Sequence, residues 1–445
     1  MAKPIISVSG LRGIVGESLD PAIAIYYACA FANQLQPGPI VLARDGRGSG
    51  PMLAAAVQSG LTACGREVLY ADVASTPTLG ILVRESSAAG GIQISASHNP
   101  APYNGFKLFG RDGRVISASQ GKPVIERFEQ RAIQWVSSDE IQCVKPIRDT
   151  TSRHLELVLA TVDVEAIRRR GFKVVLDCNH GAGAALARRL FDALAVDAKI
   201  LGEVPDGQFE HTPEPTAENL TTVARRAVSL GADVVFCQDP DADRLAIIDE
   251  HGHYIGEEYT LAITLRHRLG AQRGNVVINC ATSRMSLEIA EKLGCSCHLS
   301  AVGEANVTDK MIAVGAVYGG EGNGGPIDPR VGYVRDSFVA MAQVLDALAK
   351  TGMTVSQLIR DLPQYAIHKT TFAMDPSRIP AWIAELEFHN REASVNHLDG
   401  LRLDWPDRWL LVRPSNTEPI VRAIAEARNE ATARALCEMA VRMVK

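Results

Sequence analysis

The sequence predicts three α/β domains of similar plan followed by a smaller α+β domain. Two observations carry this. A short run of β-branched and apolar residues, a polar or glycine-rich turn and an apolar-periodic helix ending near glycine recur three times. The tail instead places strand-length runs on either side of close turns and ends in a single amphipathic helix. The composition suits a multidomain globular chain: 445 residues, 46% hydrophobic and 22% charged.

The segment Ala22 to Ala32 reads as a buried helix. It ends in Asn33 and Gln34 and is far shorter than the ~20 apolar residues that cross a bilayer. The first repeat is Ile40-Val41-Leu42-Ala43, a turn from Arg44 to Gly50 and a helix to about Gly65. The second is Val174-Val175-Leu176, a turn from Asp177 to Gly183 and a helix from Ala184. The third is Val276-Val277-Ile278, a turn from Asn279 to Ser283 and a helix ending at Gly294. Such alternation predicts βαβ units and largely parallel sheets. In the tail, Leu401-Arg402-Leu403, a turn at Pro406-Asp407, a strand through Val412 and a strand from Ile420 to Ala425 precede a helix from Glu430 to Lys445. Joints near Lys145 to Thr151, His251 to Glu257 and Pro363 to Pro376 divide the chain into residues 1–148, 149–253, 254–366 and 367–445.

The formal charge is −5, from 46 Lys+Arg against 51 Asp+Glu, so no basic face is implied and nucleic acid is excluded as a partner. A membrane partner is excluded by the lack of a spanning apolar run. The start, Met1-Ala2-Lys3-Pro4, lacks the apolar core of a secretion signal. Nine scattered cysteines without a C-x-x-C pair suit a reducing compartment, so a cytoplasmic location is expected.

Chemistry concentrates in a few loops. Asp239-Pro240-Asp241-Ala242-Asp243-Arg244 follows the apolar run Val234-Val235-Phe236. Alternate side chains of an extended segment point the same way, so Asp239, Asp241 and Asp243 can converge on one hard cation; oxygen-only donors suit Mg²⁺. The alternative is a solvated acidic turn, which three carboxylates abutting a buried strand disfavour. Ser95-Ala96-Ser97-His98-Asn99-Pro100 follows another short strand, and Ser97 beside His98 fits a covalent nucleophile with an adjacent acid/base. The alternative there is an Asn-Pro turn with incidental hydroxyls. In Arg413-Pro414-Ser415-Asn416-Thr417-Glu418-Pro419, Arg413 offers a planar fork for a phosphate, and Ser415, Asn416 and Thr417 add hydroxyl, amide and backbone donors. Arg422 on the following strand adds a second charge. Asp177 to Gly183 does not complete G-x-G-x-x-G and reads as a βα turn, and Cys295, Cys297 and His298 lack zinc-ligand spacing.

These motifs occur in a fixed order with Gly319-Gly320-Glu321-Gly322-Asn323-Gly324-Gly325 between them and Ser9-Gly10-Leu11-Arg12-Gly13 at the start. Over essentially its whole length the chain resembles the α-D-phosphohexomutase superfamily of phosphoglucomutases, phosphomannomutases and phosphoglucosamine mutases. The resemblance implies three mixed-sheet α/β domains plus a smaller C-terminal α+β domain around a central cleft. It implies that Ser97 is carried as phosphoserine, and that Asp239, Asp241 and Asp243 bind one Mg²⁺ per chain with an oxygen from Ser97. By the same token Arg244, Lys107, His98 and Arg12 serve phosphoryl transfer. Glu321 and Asn323 meet the sugar, and Arg413 to Thr417 with Arg422 hold its distal phosphate. The implied reaction interconverts hexose 6-phosphate and 1-phosphate, with a hexose 1,6-bisphosphate as intermediate and activator, in a monomer or homodimer.

Three positions depart from the family pattern. Where the sugar loop commonly reads G-E-x-S-G/A-H, Asn323-Gly324-Gly325 stand here. That form resembles archaeal-type sequences assigned to glucosamine phosphate, with mannose or glucose phosphate as the alternatives. Pro240 replaces a frequent glycine, and Ala281 stands where some members carry a lysine base, leaving Arg284 or His98 to move the proton. A metal-dependent sugar phosphatase and a non-catalytic sugar-phosphate sensor are the competing readings.

Overall fold

The computed structural model describes residues 3–7, 10–414 and 420–443. The three predicted runs are the strands Ile40–Arg44, Lys173–Asp177 and Val276–Asn279, each followed through a polar turn by a helix: Gly50–Ala63, Ala184–Ala193 and Arg284–Lys292. The early apolar segment is the helix Pro21–Ala32, capped by the Asp20 carboxylate on Ile23 N–H at 2.7 Å.

Each α/β unit repeats one strand order: fourth, third, first, second. In the first unit these are Tyr103–Gly110, Gly90–Ile94, Ile40–Arg44 and Val68–Val73, extended by Ile5–Ser7 and Gly10–Ile14 on one side and Val144–Pro146 on the other. In the second they are Leu245–Ile248, Val234–Gln238, Lys173–Asp177 and Asp197–Leu201. In the third they are Gly325–Ile327, Tyr318–Glu321, Val276–Asn279 and Cys297–Ser300. The first three strands of each unit are parallel, whereas the fourth is antiparallel to the third. The sheets are therefore mixed, as the family resemblance implies, and not largely parallel as the alternation alone suggests. The reason is local: third and fourth strands are joined by short loops, and a short loop can connect only antiparallel neighbours.

That arrangement sets out the chemistry. The third-to-fourth loops carry Ser97, Asp239 to Arg244, and Gly322 to Gly324, so three equivalent corners of three similar sheets present the three motifs. They leave the carboxyl ends of parallel strands, where open α/β sheets place their ligands.

The second and third units share one apolar core. The helix Ser337–Thr351 is buried on nearly every face and packs against apolar side chains of both sheets, including Leu176 and Phe236 of one and Val276 and Ile278 of the other.

The C-terminal sheet is antiparallel, in the order Ala366–Ala373, Ile420–Ala427, Trp409–Pro414, Leu401–Asp404, Ser394–Asn396, with helices Ile379–His389 and Glu430–Arg442. The expected joint from Pro363 to Pro376 contains its edge strand, paired along Ile420–Ala427. The closing helix is Glu430–Arg442, and the last two residues of the expected helix, Val444 and Lys445, lie outside the described residues. This domain docks on the third unit. Trp409 and Leu411 pack against Cys280, and the buried Glu426 carboxylate accepts from Trp409 Nε1 at 2.8 Å and from Arg284 N–H at 2.9 Å. Arg402 is held by Asp404, stacks on Trp409 and donates to the carbonyl of Cys280. Among the described residues no helix is long and apolar enough to cross a membrane.

Candidate active site

Ser97 is 1% exposed and sits at φ +50°, a left-handed conformation that a non-glycine residue adopts only when its surroundings hold it there. The holding group is Arg47, a fully buried guanidinium in the loop after the first strand. It donates to the carbonyls of Ser97 and Asn99 at 2.6 Å, Pro100 at 2.8 Å and Tyr103 at 2.9 Å, and to Asp45 at 3.1 Å. Asp45 accepts the Ser95 hydroxyl at 2.7 Å, and Ser95 Oγ accepts Ser97 N–H at 2.9 Å. The serine loop is thus pinned from both sides. Replacing Arg47 by Lys keeps the charge but loses the fork. It is expected to cost about 3 kcal/mol in chemical denaturation, because buried carbonyls and Asp45 lose their donors. Wild-type stability in that variant would contradict the bracing role.

The acidic run is a tight turn rather than the extended segment expected. Ala242 lies at φ +56°, its N–H bonds the Asp239 carbonyl at 2.9 Å, and Asp239 Oδ1 accepts the N–H groups of Asp243 and Arg244 at 3.2 Å. The turn still brings the carboxylates together: one oxygen from each of Asp239, Asp241 and Asp243 lies within 4.8 Å of the others. Among the described residues this is the one cluster of His, Cys, Asp or Glu with that geometry. Asp241 Oδ1 and Asp243 Oδ1 are buried with no hydrogen-bond partner among the described residues. Burial, followed by the charges of Asp243 and Asp241, pushes the Asp239 carboxyl well above the usual carboxylate range. Bare oxygens and mutual repulsion fit a hard divalent cation such as Mg²⁺.

The two loops meet. Ser97 Oγ donates to Asp239 Oδ2 at 2.8 Å and lies 3.3 Å from His98 Nδ1. Lys107, on the strand after the serine loop, donates to Asp241 at 2.5 Å and Asp243 at 2.7 Å. These two carboxylates raise the lysine's pKa against a burial penalty that alone would lower it. Arg244 stands 3.9 Å from Asp239 and 3.8 Å from Asp243. Arg12 lies on the strand paired with Tyr103–Gly110, in register with Gly105, two residues before Lys107; burial, then Arg244, lowers its pKa. Burial, then Arg244 and Arg12, presses the His98 imidazole down to about 2, so it stays neutral at ordinary pH. Arg284 is directed elsewhere: its guanidinium donates to the Trp405 carbonyl at 2.7 Å, tying the C-terminal domain.

In the third unit both Glu321 oxygens are engaged, by Asn279 Nδ2 at 2.7 Å and Gly303 N–H at 3.0 Å on one side and Arg335 at 2.8 Å on the other. Arg335 also donates to Asp243 at 2.7 Å, so a single guanidinium couples the acidic turn to the Glu321 loop. Asn323 is half-buried, and its Oδ1 has no partner among the described residues. Arg413 is the next-to-last residue of the strand Trp409–Pro414, paired in register with the exposed Arg422 and 3.0 Å from Asp399. Ser415, Asn416 and Thr417 lie outside the described residues.

Sequence reasoning missed Asp45, Arg47, Thr76, Glu304 and Arg335. Thr76 donates to Asp241 at 2.5 Å. Burial, opposed by Arg335, lifts the Glu304 carboxyl to about 7. The only marker for any of them was position: Asp45 and Arg47 follow the first strand of the first repeat, as Asp177 to Gly183 follow that of the second.

Four family models match in order: phosphoglucomutase/phosphomannomutase α/β/α domain I over residues 4–134, domain II over 152–252, domain III over 257–365 and the C-terminal domain over 379–443. A Methanopyrus kandleri protein named "Probable phosphoglucosamine mutase" is 33% identical, covering 98% of this chain and 97% of that protein. A Thermococcus kodakarensis protein named phosphoglucomutase/phosphomannomutase is 34% identical over the same shares. A crystal structure of a phosphoglucomutase/phosphomannomutase family protein from Burkholderia thailandensis superposes with a TM-score of 0.86 at 26% identity, covering 99% of this chain and 98% of that one.

Proposed function

The chain belongs to the phosphoglucomutase/phosphomannomutase family, the α-D-phosphohexomutases, and from that premise we propose that it interconverts glucosamine 6-phosphate and glucosamine 1-phosphate through phosphoserine 97 and a bisphosphate intermediate. The observation that carries this reading is the Ser97 hydroxyl lying 2.8 Å from a carboxylate of the acidic turn.

In this mechanism Asp239, Asp241 and Asp243, with an oxygen on Ser97, would hold Mg²⁺, which when bound would neutralise charge on the transferring phosphoryl group. The chain's own residues do the positioning that phosphoryl transfer needs. Arg47 fixes the Ser97 loop so that Oγ faces the turn. Lys107, Arg244 and Arg12 surround the phosphoryl oxygens with positive charge. In the unphosphorylated form Asp239 Oδ2 holds the Ser97 hydroxyl proton, leaving the Oγ lone pairs free to take the phosphoryl group back from the bisphosphate. His98, neutral and 3.3 Å from Oγ, is within reach of a proton at that atom. Arg335 carries the position of the Glu321 loop to the acidic turn, so sugar placement and phosphoryl placement are linked.

Arg413, with Ser415 to Thr417 and Arg422, anchors the phosphate not in transfer. Arg413→Ala is expected to raise KM for both monophosphate isomers by about tenfold or more, with a smaller change in kcat. An unchanged kcat/KM would remove the anchor.

Glucosamine phosphate is supported by the naming of several relatives and by Asn323-Gly324-Gly325 in the sugar loop. Glucose or mannose phosphate is the second reading, favoured by the Thermococcus relative. Comparing kcat/KM for glucosamine, glucose and mannose 1-phosphates decides it. The proposal expects the amino sugar to lead, and a lead by either neutral sugar overturns the preference. All nine cysteines are free thiols, which supports a reducing, cytoplasmic location; the enzyme acts on a small phosphosugar as a monomer or homodimer.

A further inference from the structure

The phosphate anchor carries a negative charge that its role does not require. Asp399 lies in the turn between the strands Ser394–Asn396 and Leu401–Asp404. Its Oδ2 lies 3.0 Å from Arg413 Nη2 as an ion pair and accepts from Val302 N–H at 3.1 Å. Val302 belongs to the third unit and precedes Gly303, whose N–H bonds Glu321. The turn requires its glycine. Gly400 sits at φ +81°, and a Cβ there would stand 2.2 Å from the Val412 carbonyl and 3.0 Å from Arg413 Cα. Its own turn and the neighbouring domain therefore both hold this carboxylate beside the arginine.

The geometry differs from that of a carboxylate that orients an arginine. Arg402, in the same sheet, shows the orienting kind: Asp404 grips Nε and Nη2 with separate oxygens, both at 2.8 Å, and Trp409 stacks on the plane at 4.3 Å. Asp399 touches Arg413 through one nitrogen only and shares that oxygen with a backbone N–H. Side-chain exposures of 19% for Arg413 and 20% for Asp399 leave the pair partly open to solvent. Among the described residues, a one-pronged contact leaves the rest of the fork's donors for a phosphate. A phosphate arriving there meets the guanidinium and a fixed like charge together.

We propose that Asp399 is a positioning residue that holds the grip of Arg413 on the distal phosphate below its full strength, so that the bisphosphate can leave the anchor, turn and rebind. This rests on the mutase reading. That reaction presents the two phosphates to Ser97 in succession, so the anchor must release each within one turnover. An unopposed arginine would tighten ground-state binding without helping the transfer step.

Asp399→Asn tests this, because the amide keeps the shape and still accepts from Val302 N–H. KM for the hexose monophosphate is expected to fall about fivefold, and inorganic phosphate measured by calorimetry to bind about fivefold tighter. Over the same comparison kcat should fall rather than rise. In an Arg413→Ala background the same substitution should leave phosphate affinity unchanged. Weaker or unaltered phosphate binding in Asp399→Asn would overturn the proposal, as would an equal effect without Arg413. If wild-type protein fails to interconvert any hexose phosphate, the mutase reading falls, while the calorimetric comparison still decides the role of Asp399.

Discussion

Ser97→Ala is expected to lower turnover by about 10⁴-fold or more, on the scale seen when a covalent nucleophile is removed. No neighbour can replace it. The Ser95 hydroxyl already donates to Asp45 and accepts from Ser97 N–H, and residue 96 is alanine. The fold should survive, because Arg47 holds the loop through backbone carbonyls that alanine retains. Left-handed backbone costs alanine about 1 kcal/mol, as it already costs serine. The expected signature is therefore a nearly unchanged melting temperature, lost activity and no phosphate on the intact protein. Full activity would refute the mechanism.

The second large effect is at the acidic turn. Asp241→Ala removes one of three converging oxygens and deprives Lys107 and Thr76 of a shared acceptor. Loss of charge stabilisation of this kind is expected to cost about 10³-fold in kcat. Mg²⁺ affinity, read directly by calorimetry, should weaken by at least about tenfold. Chelation of the wild-type protein should abolish activity and added Mg²⁺ should restore it. Undiminished Mg²⁺ binding in Asp241→Ala would show that the cation, if any, is held elsewhere.

Much of this was legible before any coordinates, and for physical reasons. The strands Ile40–Arg44, Lys173–Asp177 and Val276–Asn279 are buried on both faces, so they appear as unbroken apolar runs that end where a polar turn begins. The loops bearing Ser97 and Asp239 to Asp243 could be seen for the same reason, since each follows such a strand. The antiparallel fourth strands could not, because chain direction within a sheet leaves no mark in periodicity. The shape of the acidic run was misread because Ala242, like Ser97, adopts positive φ without being glycine, so nothing announced the turn. Arg47 and Arg335 were invisible because their partners are distant in sequence: Arg47 reaches residues 97 to 103, and Arg335 reaches 243 and 321. Their importance comes from burial among acceptors that only folding assembles. The strand within Pro363 to Pro376 was hidden between two prolines that look like punctuation and instead flank an edge strand.

The most direct trial is to follow the phosphate itself. Protein loaded with hexose 1,6-bisphosphate and Mg²⁺ would be digested and its phosphopeptides mapped, before and after brief exposure to hexose monophosphate. One phosphate on the peptide containing Ser97, vanishing as new bisphosphate appears in equal amount, is the predicted result. Phosphate fixed to another residue, or departing from Ser97 as free inorganic phosphate while the sugar gains none, would contradict it.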